Sequence, residues 1–571
     1  MLFRLRALCS NHGCAALASL SLMLFLACAT GAETGLGPGN NAATDASVSD
    51  GRAAPRRADS GTLDAHSEWN PDASKFGDAS TADAGGETPT EAWAQRAYLK
   101  ASNTGADDSF GASVSLSGDG STLAIGADYE NSSATGIGGN QADNGATDSG
   151  AVYIFVRAGS SWKQQAYIKA SNAGRGDSFG ARVSLSADGN TLAVGAPYEA
   201  STATGIGGNQ ADDSGTEVGA VYVYSRSAET WVQQAYVKAS NAGAGDLFGS
   251  ALSLSADGNT LAVGAWGEES TAKGIDGNQA GSGAPLSGAV YIFTRSALVW
   301  KQQAYVKASN TSASDSFGIA VALSSDGNTL AVGAHYEASS ATGVNGDQAD
   351  NTAPLSGAVY VFTRSGATWT QQAYVKASNT GAKDLFGETL ALSGDGNTLA
   401  VGAEQESSAA VGIGGSQSND SMEDSGAVYV YARSGATWAQ QAYVKASNSS
   451  TKALFGRSVA LSADGRSLAV GAPGEASSAV GIDGNQSNKS ASESGAVYIF
   501  SLTGSAWTQE AYVKASNTGA KDVFGASVSM ASEGRALCVG AHAESSSAKG
   551  VGGNQNDNSV AGAGAAYAFE R

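Results

Sequence analysis

The sequence predicts an all-β fold, a seven-bladed β-propeller of four-stranded antiparallel blades in which an N-terminal strand closes the last blade. Three observations predict it. The dipeptide Phe-Gly recurs at Phe110, Phe179, Phe248, Phe317, Phe386, Phe455 and Phe524, each 69 residues after the one before. The blocks around it alternate apolar and small polar residues with period two, the mark of half-buried strands, and carry no helical period. The array is also offset, because its last copy lacks a segment that its beginning holds in surplus.

Two other markers keep the same spacing. One is the Gly that opens GAVYIF and its variants, at Gly150, Gly219, Gly288, Gly357, Gly426, Gly495 and Gly564; the other is Trp93, Trp162, Trp231, Trp300, Trp369, Trp438 and Trp507. A period of this length belongs to stacked supersecondary units. In the first full copy the pattern predicts strand A from Phe110 to Ser117, B from Thr122 to Ala127, C from Ala151 to Arg157 and D from Trp162 to Ala170. Strand A alternates Phe110, Ala112, Val114 and Leu116 with small residues, and SGDG supplies the tight turn into B. Strand C, AVYIF, is apolar on both faces and needs cover on both, which a blade packed between two neighbours provides. Small residues dominate A and B while Tyr, Phe and Trp gather in C and D, as blades tapering toward an axis require.

The ends of the array carry the closure. The seventh copy stops at Arg571 after strand C, whereas WAQRAYLK at Trp93 to Lys100 matches the D strand WKQQAYIK at Trp162 to Lys169 and has no A, B or C before it. Residues 89–571 span seven whole periods. An N-terminal strand that completes the last blade leaves no unpaired edge there for aggregation. Burying Trp93, Tyr98 and Leu99 in that closure contributes about 5 kcal/mol at about 1.5–3 per large apolar side chain.

Ahead of the array, Arg4 and Arg6 precede an apolar run from Ala15 to Ala27, the length of a signal-peptide core and too short for a membrane span. Residues 1–28 are therefore expected to direct export, and the end of the run, Leu24-Phe25-Leu26-Ala27-Cys28, resembles a bacterial lipobox in which Cys28 would carry the lipid. Phe25 and Leu26 depart from the usual residues of that motif. Residues 29–88 are Ala, Gly, Asp, Ser and Thr with almost no large apolar side chains, a composition that cannot offset its ordering entropy. They are expected to form a tether with a root-mean-square span of about 45 Å. The expected location is extracytoplasmic, at the bacterial outer membrane or cell surface, with the membrane touched only through the lipid.

The formal charge of −20 and 53 acidic against 33 basic residues oppose binding to a phosphate backbone, so nucleic acid is excluded as a partner. Of four cysteines, Cys9, Cys14 and Cys28 lie in the leader. Cys538 stands where other copies have Ala and reads as a small buried apolar group.

The unit FGASVSLSGDGSTLAIGA followed by GAVYIF, with Gly-Ala-Pro at Gly195 to Pro197 and Gly471 to Pro473, resembles the FG-GAP repeat of integrin α-chain propellers over residues 89–571. The resemblance implies the propeller fold and a binding or adhesion role. It also raises calcium, which many members hold in the A to B hairpin through several alternating carboxylates. Here each hairpin keeps one, at Asp119, Asp188, Asp257, Asp326, Asp395, Asp464 and Glu533, so each is expected to cap its own turn and no cofactor is expected.

Strand alternation sends the long B to C loops, such as 128–149, and the D to A loops, such as 103–109, to one face. Long connections of this kind are usually functional. Two residues recur in every B to C loop. A carboxylate at Glu130, Glu199, Glu268, Glu337, Glu406, Glu475 and Glu544 forms a candidate ligand-facing ring; the competing expectation is that each Glu accepts backbone N–H bonds as a strut. A Gln at Gln141, Gln210, Gln279, Gln348, Gln417, Gln486 and Gln555 is expected to pin its loop. Arg175 to Ser178 spell RGDS, one change away from sister loops such as GADD and GAGD, and read as accidental. His335 and His542 occupy a position that is Asp, Pro, Trp or Glu in other copies, and no acid, base and nucleophile set stands out. The expected function is an exported, monomeric, non-enzymatic binding or adhesion module for an extracellular protein or glycan. The alternatives are a structural surface coat and an accessory domain of an extracellular enzyme system.

Overall fold

The computed structural model describes residues 92–571, which form seven four-stranded antiparallel sheets. Cys28, the leader and the tether lie outside the described residues. Blade 1 is β2 (Ser113–Leu116), β3 (Thr122–Ala127), β4 (Ala151–Ala158) and β5 (Ser161–Ile168), paired in that order, and blades 2 to 6 repeat it. Blade 7 is β26 (Ser527–Met530), β27 (Ala536–Ala541), β28 (Ala565–Glu570) and, from the other end of the chain, β1 (Ala94–Leu99). Its register sets Tyr98 opposite Tyr567 and Leu99 opposite Ala566.

Strand A is shorter than the period predicted. Phe110 and Gly111 lie before it, with Gly111 at a φ of +94°. Phe110 is fully buried against Tyr153 and Phe155 of its own strand C, with ring centroids 5.3 and 6.2 Å away. A Cβ on Gly111 would lie 2.4 Å from the carbonyl oxygen of Ala565 in the preceding blade, which only glycine permits. The Phe-Gly pair is thus a core plug followed by a point of backbone contact between blades. Gly126 in strand B does the same on the other side, since a Cβ there would lie 2.0 Å from the Gly180 oxygen.

The A strands form the inner ring, and the A to B hairpins close it with backbone hydrogen bonds. Gly118 N–H donates to Ala187, Ala187 to Ala256, Ala256 to Ser325, Ser325 to Gly394, Gly394 to Ala463, Ala463 to Ser532, and Ser532 back to Gly118, all at 2.8–2.9 Å. The small residues at these positions are what let seven hairpins meet.

On the outside, an Arg near the end of strand C locks blades 2 to 5 each to the one before, while blade 6 carries Leu502 there. Arg226 stacks on Trp231 at 5.3 Å, and both donate to the Gln165 side chain of blade 1, at 3.2 and 3.0 Å. The closing seam copies this lock with a charge. Arg571 stacks on Trp93 at 5.4 Å, and both reach Glu510, which replaces the Gln of blade 6. At the next seam Glu570 pairs with Arg157 of blade 1. β1 and β28 are therefore joined by a strand ladder and a buried aromatic pair, and ion pairs specific to that place tie the completed blade to its two neighbours.

Cys538 is buried and free, and burial pushes its thiol up, in keeping with a small core residue.

Candidate functional site

The loop face has a buried layer that is nearly identical in every blade. In blade 3, Glu268 in the B to C loop is 1% exposed. Its carboxylate accepts Lys307 Nζ at 2.7 Å, the Tyr305 hydroxyl at 2.8 Å, Asn241 Nδ2 at 2.9 Å and the Ser270 N–H at 3.1 Å. Lys307 and Tyr305 come from strand D of the same blade, while Asn241 follows strand D of blade 2. Each glutamate therefore ties one blade to the last. The equivalent Lys–Glu pairs span 2.7–3.0 Å from Lys100–Glu544 to Lys514–Glu475. Burial lowers the pKa of these lysines, and the facing glutamate resists that shift.

This corrects the reading of the glutamates as a displayed ring. Glu130, Glu199, Glu268, Glu337, Glu406, Glu475 and Glu544 are all essentially inaccessible, because the same carboxylate that could have faced a ligand is the counter-ion of a buried lysine. A charge that has lost its water must keep its partner. The glutamines behave as struts of the loops: Ser240 Oγ donates to the Gln279 side chain at 2.5 Å, and the Gln279 carbonyl accepts Asn241 Nδ2 at 3.3 Å.

Other sequence candidates resolve in the same local way. Asp188 accepts Ser186 Oγ at 2.5 Å and the Asn190 N–H at 2.9 Å, capping its own turn. One carboxylate so engaged does not fit a hard cation. Among the described residues no three His, Cys, Asp or Glu side chains gather in a metal-binding group. In RGDS, Asp177 is buried and accepts the Gly174 N–H at 2.7 Å, while Arg175 Nη2 donates to the Gly145 carbonyl at 3.1 Å. The acid of the motif is turned inward.

What distinguishes the blades lies at the inner rim of this face, where strand A begins and strand B ends. The residue two after the repeat Phe runs Ala112, Ala181, Ser250, Ile319, Glu388, Arg457, Ala526 around the ring. The pair ending strand B runs Asp128-Tyr129, Pro197-Tyr198, Trp266-Gly267, His335-Tyr336, Glu404-Gln405, Pro473-Gly474, His542-Ala543. In blades 4 to 6 these positions meet. His335 Nδ1 lies 3.2 Å from Glu388, and Arg457 Nη1 lies 2.9 Å from Glu388 and 3.3 Å from Glu404.

The cluster is desolvated but open on one side, since the Arg457 side chain keeps 42% of its surface exposed against 18% for Glu388 and 9% for Glu404. Burial opposes ionisation of Glu388, yet His335 and Arg457 beside it, with Arg182 of blade 2, hold its carboxyl below the usual range. Burial dominates at Glu404 and raises it. Burial lowers the pKa of His335, and the facing Glu388 resists that shift. Chemically this is a set of mutually engaged donors and acceptors at the mouth of the central channel. Single histidines do not reveal it. Reading each column of the repeat for departure from its sisters would have, because 388, 404 and 457 are polar where Ala and Pro suffice elsewhere.

The family comparison agrees with the architecture. A family model described as FG-GAP repeat matches residues 93–155, 162–224, 231–293, 300–362, 369–431 and 438–500, each window running from the Trp of strand D to the end of strand C in the next blade. No curated protein matches the chain. Solved structures of similar shape include hydrazine synthase of Kuenenia stuttgartiensis, at 12% identity, TM-score 0.42, covering 77% of this chain and 94% of that one. The periplasmic gluconolactonase of Pseudomonas aeruginosa gives 16% identity and TM-score 0.40, covering 74% and 89%. A putative 6-phosphogluconolactonase of Bacteroides uniformis gives 10% and 0.39, covering 71% and 85%.

Proposed function

The chain belongs to the FG-GAP repeat family, and we propose that it is a binding module, held outside the cytoplasm through a lipid on Cys28, that engages an extracellular protein or glycan with its loop face and performs no turnover. One observation carries the reading. Repeats that keep their struts, turns and core nearly unchanged depart from one another where the inner rim meets the channel mouth. A purely structural array gains nothing from such departures, and a surface that must recognise something does.

The repeat-specific cluster also meets the first requirement of an enzyme. Its carboxylates, however, are engaged: Glu388 by His335 and Arg457, and Glu404 by Arg457. Neither is left as a free nucleophile or base, so binding is the reading it supports better. The test is capture by the full chain, immobilised on its tether side, from a glycan array and from a panel of purified extracellular proteins. Capture that is lost on exchanging the rim residues for those of sister blades supports the proposal. Failure to capture anything, together with ordered self-assembly of the purified chain, supports a surface coat instead. Export and lipidation are read separately: Cys28→Ser is expected to abolish labelling by a radioactive fatty acid and to release the protein from membranes.

A further inference from the structure

Resting on that reading, we infer that the mouth of the channel between blades 4 and 6 is a saccharide subsite, taking the end of a neutral, polyhydroxylated ligand. The balance of charge is the first argument. Glu388 and Glu404 face Arg457, and Arg182 of blade 2 adds its field to Glu388. Glu388 is met by Arg457 and His335, and Glu404 by Arg457, so these carboxylates leave little attraction for a free ion. They do leave planar, fixed groups that donate and accept in bidentate fashion, which is what vicinal hydroxyls require. Gln405, half-buried beside Glu404, adds a donor and an acceptor of the same kind.

The rim also offers aromatic surface. Trp266 and Tyr336 lie just beyond strand B in blades 3 and 4, at neighbouring columns of the repeat, and both are partly exposed. Aromatic faces of this type supply apolar contact with a polar edge, suited to the C–H face of a sugar ring.

A second break in the repeat falls in the same sector and is independent of the first. On the inner edge of strand A, a Ser hydroxyl accepts the N–H of the next blade: Ser115 takes Leu185, Ser184 takes Leu254, Ser253 takes Leu323 and Ser529 takes Leu116, at 2.9–3.0 Å. Blades 4, 5 and 6 carry Ala322, Ala391 and Ala460 there. The corresponding amides of Leu392, Leu461 and Met530 thus face a side chain with no acceptor, on the channel wall below the polar cluster. The sector that gains donors and acceptors at its mouth has given up its own hydroxyls within, which leaves backbone N–H groups for hydroxyls that a ligand brings.

The test uses the full chain and titration calorimetry with neutral cello-, xylo-, manno- and malto-oligosaccharides of three to six units. Uronic-acid oligomers and oligolysine serve as charged comparators. The variant Glu388→Ala, Glu404→Pro, Arg457→Ala replaces the cluster with residues that sister blades already carry at those positions, and it removes the two carboxylates together with the guanidinium that pairs them. Trp266→Pro, again a sister residue, removes the aromatic face and leaves the ion pairs intact. At least one neutral series is expected to bind more tightly than both charged ones, and the triple variant to weaken it about tenfold to hundredfold, the range for loss of charge-assisted hydrogen bonds. Trp266→Pro is expected to weaken the same series without altering the melting temperature. Neutral oligosaccharides that bind no better than charged ones, or that bind the triple variant equally, overturn the inference. If glycan or protein capture by the loop face persists in that case, the binding-module reading stands without this subsite; if both fail, it falls as well.

Discussion

The strut layer and the channel mouth occupy the same face of the same ring, yet they treat charge in opposite ways. In the struts a buried Lys and Glu recur in all seven blades, each carboxylate saturated by donors from two blades. At the mouth, Glu388, Glu404 and Arg457 occur once each, share one another, and keep an open side toward the channel. Repetition marks what every blade needs in order to stand. Departure from repetition marks what the assembled ring offers to something else.

The largest way to break this comparison is to unmake the ring. Deleting residues 89–103 removes β1, with Trp93, Tyr98, Leu99 and the Lys100 partner of Glu544, and exposes the edge of β28. The truncated protein is expected to aggregate or to melt far below the full chain by calorimetry and light scattering. A monomeric deletion with an unchanged melting temperature would mean that closure contributes little.

Next in size is the loss of a single strut. Lys307→Met strands Glu268 in a site from which water is excluded, at a cost of about 3–5 kcal/mol. Replacing both partners by Met and Leu is expected to restore much of that stability, since it strands nothing. Chemical denaturation of the two variants separates the outcomes, and the same pair of changes at Lys169 and Glu130 is expected to behave alike.

A smaller effect comes from acid. Six aspartates that cap the D to A loops have carboxyls raised by burial, to about 7 for Asp108, Asp315 and Asp384 and about 6 for Asp177, Asp246 and Asp522. The folded chain holds these protons more tightly than the unfolded one, so stability is expected to rise as pH falls from about 8 toward about 4. His335, lowered chiefly by burial, opposes this as one group against six. The hairpin aspartates such as Asp188, held low by hydrogen bonds that outweigh their desolvation, lose their contribution below that range. Melting temperatures across pH 4 to 8 that climb with pH instead would contradict the assignment.

The sequence made the ring legible because it repeats. A fixed period counts the blades, strand C apolar on both faces demands neighbours, and the orphan D strand at Trp93 names its own partner. The same regularity hid two things. A Glu present in every copy looks like a displayed motif until its Lys, 39 residues on, is seen to turn toward it, and no local pattern signals a pair made through a turn of the blade. His335, Glu388 and Arg457 lie one blade apart and meet only because the ring brings the inner rims together, so no short spacing in the chain announces them. Strand A starts later than the period suggests for a similar reason: Phe110 satisfies period two, but Gly111 takes a φ of +94° where it meets the carbonyl of Ala565, from the far end of the chain.

The smallest expected effect on stability is also the most direct test. The melting temperature of the variant Glu388→Ala, Glu404→Pro, Arg457→Ala, measured beside that of Lys307→Met, asks whether mouth and strut differ in kind. The mouth variant is expected to melt within about 2 °C of the unaltered chain, because it removes both carboxylates together with the guanidinium that pairs them and leaves only His335, whose charging burial already opposes, while the strut variant melts well below. A mouth variant as unstable as the strut variant would show that both clusters serve to hold the ring, and the division drawn between them would fail.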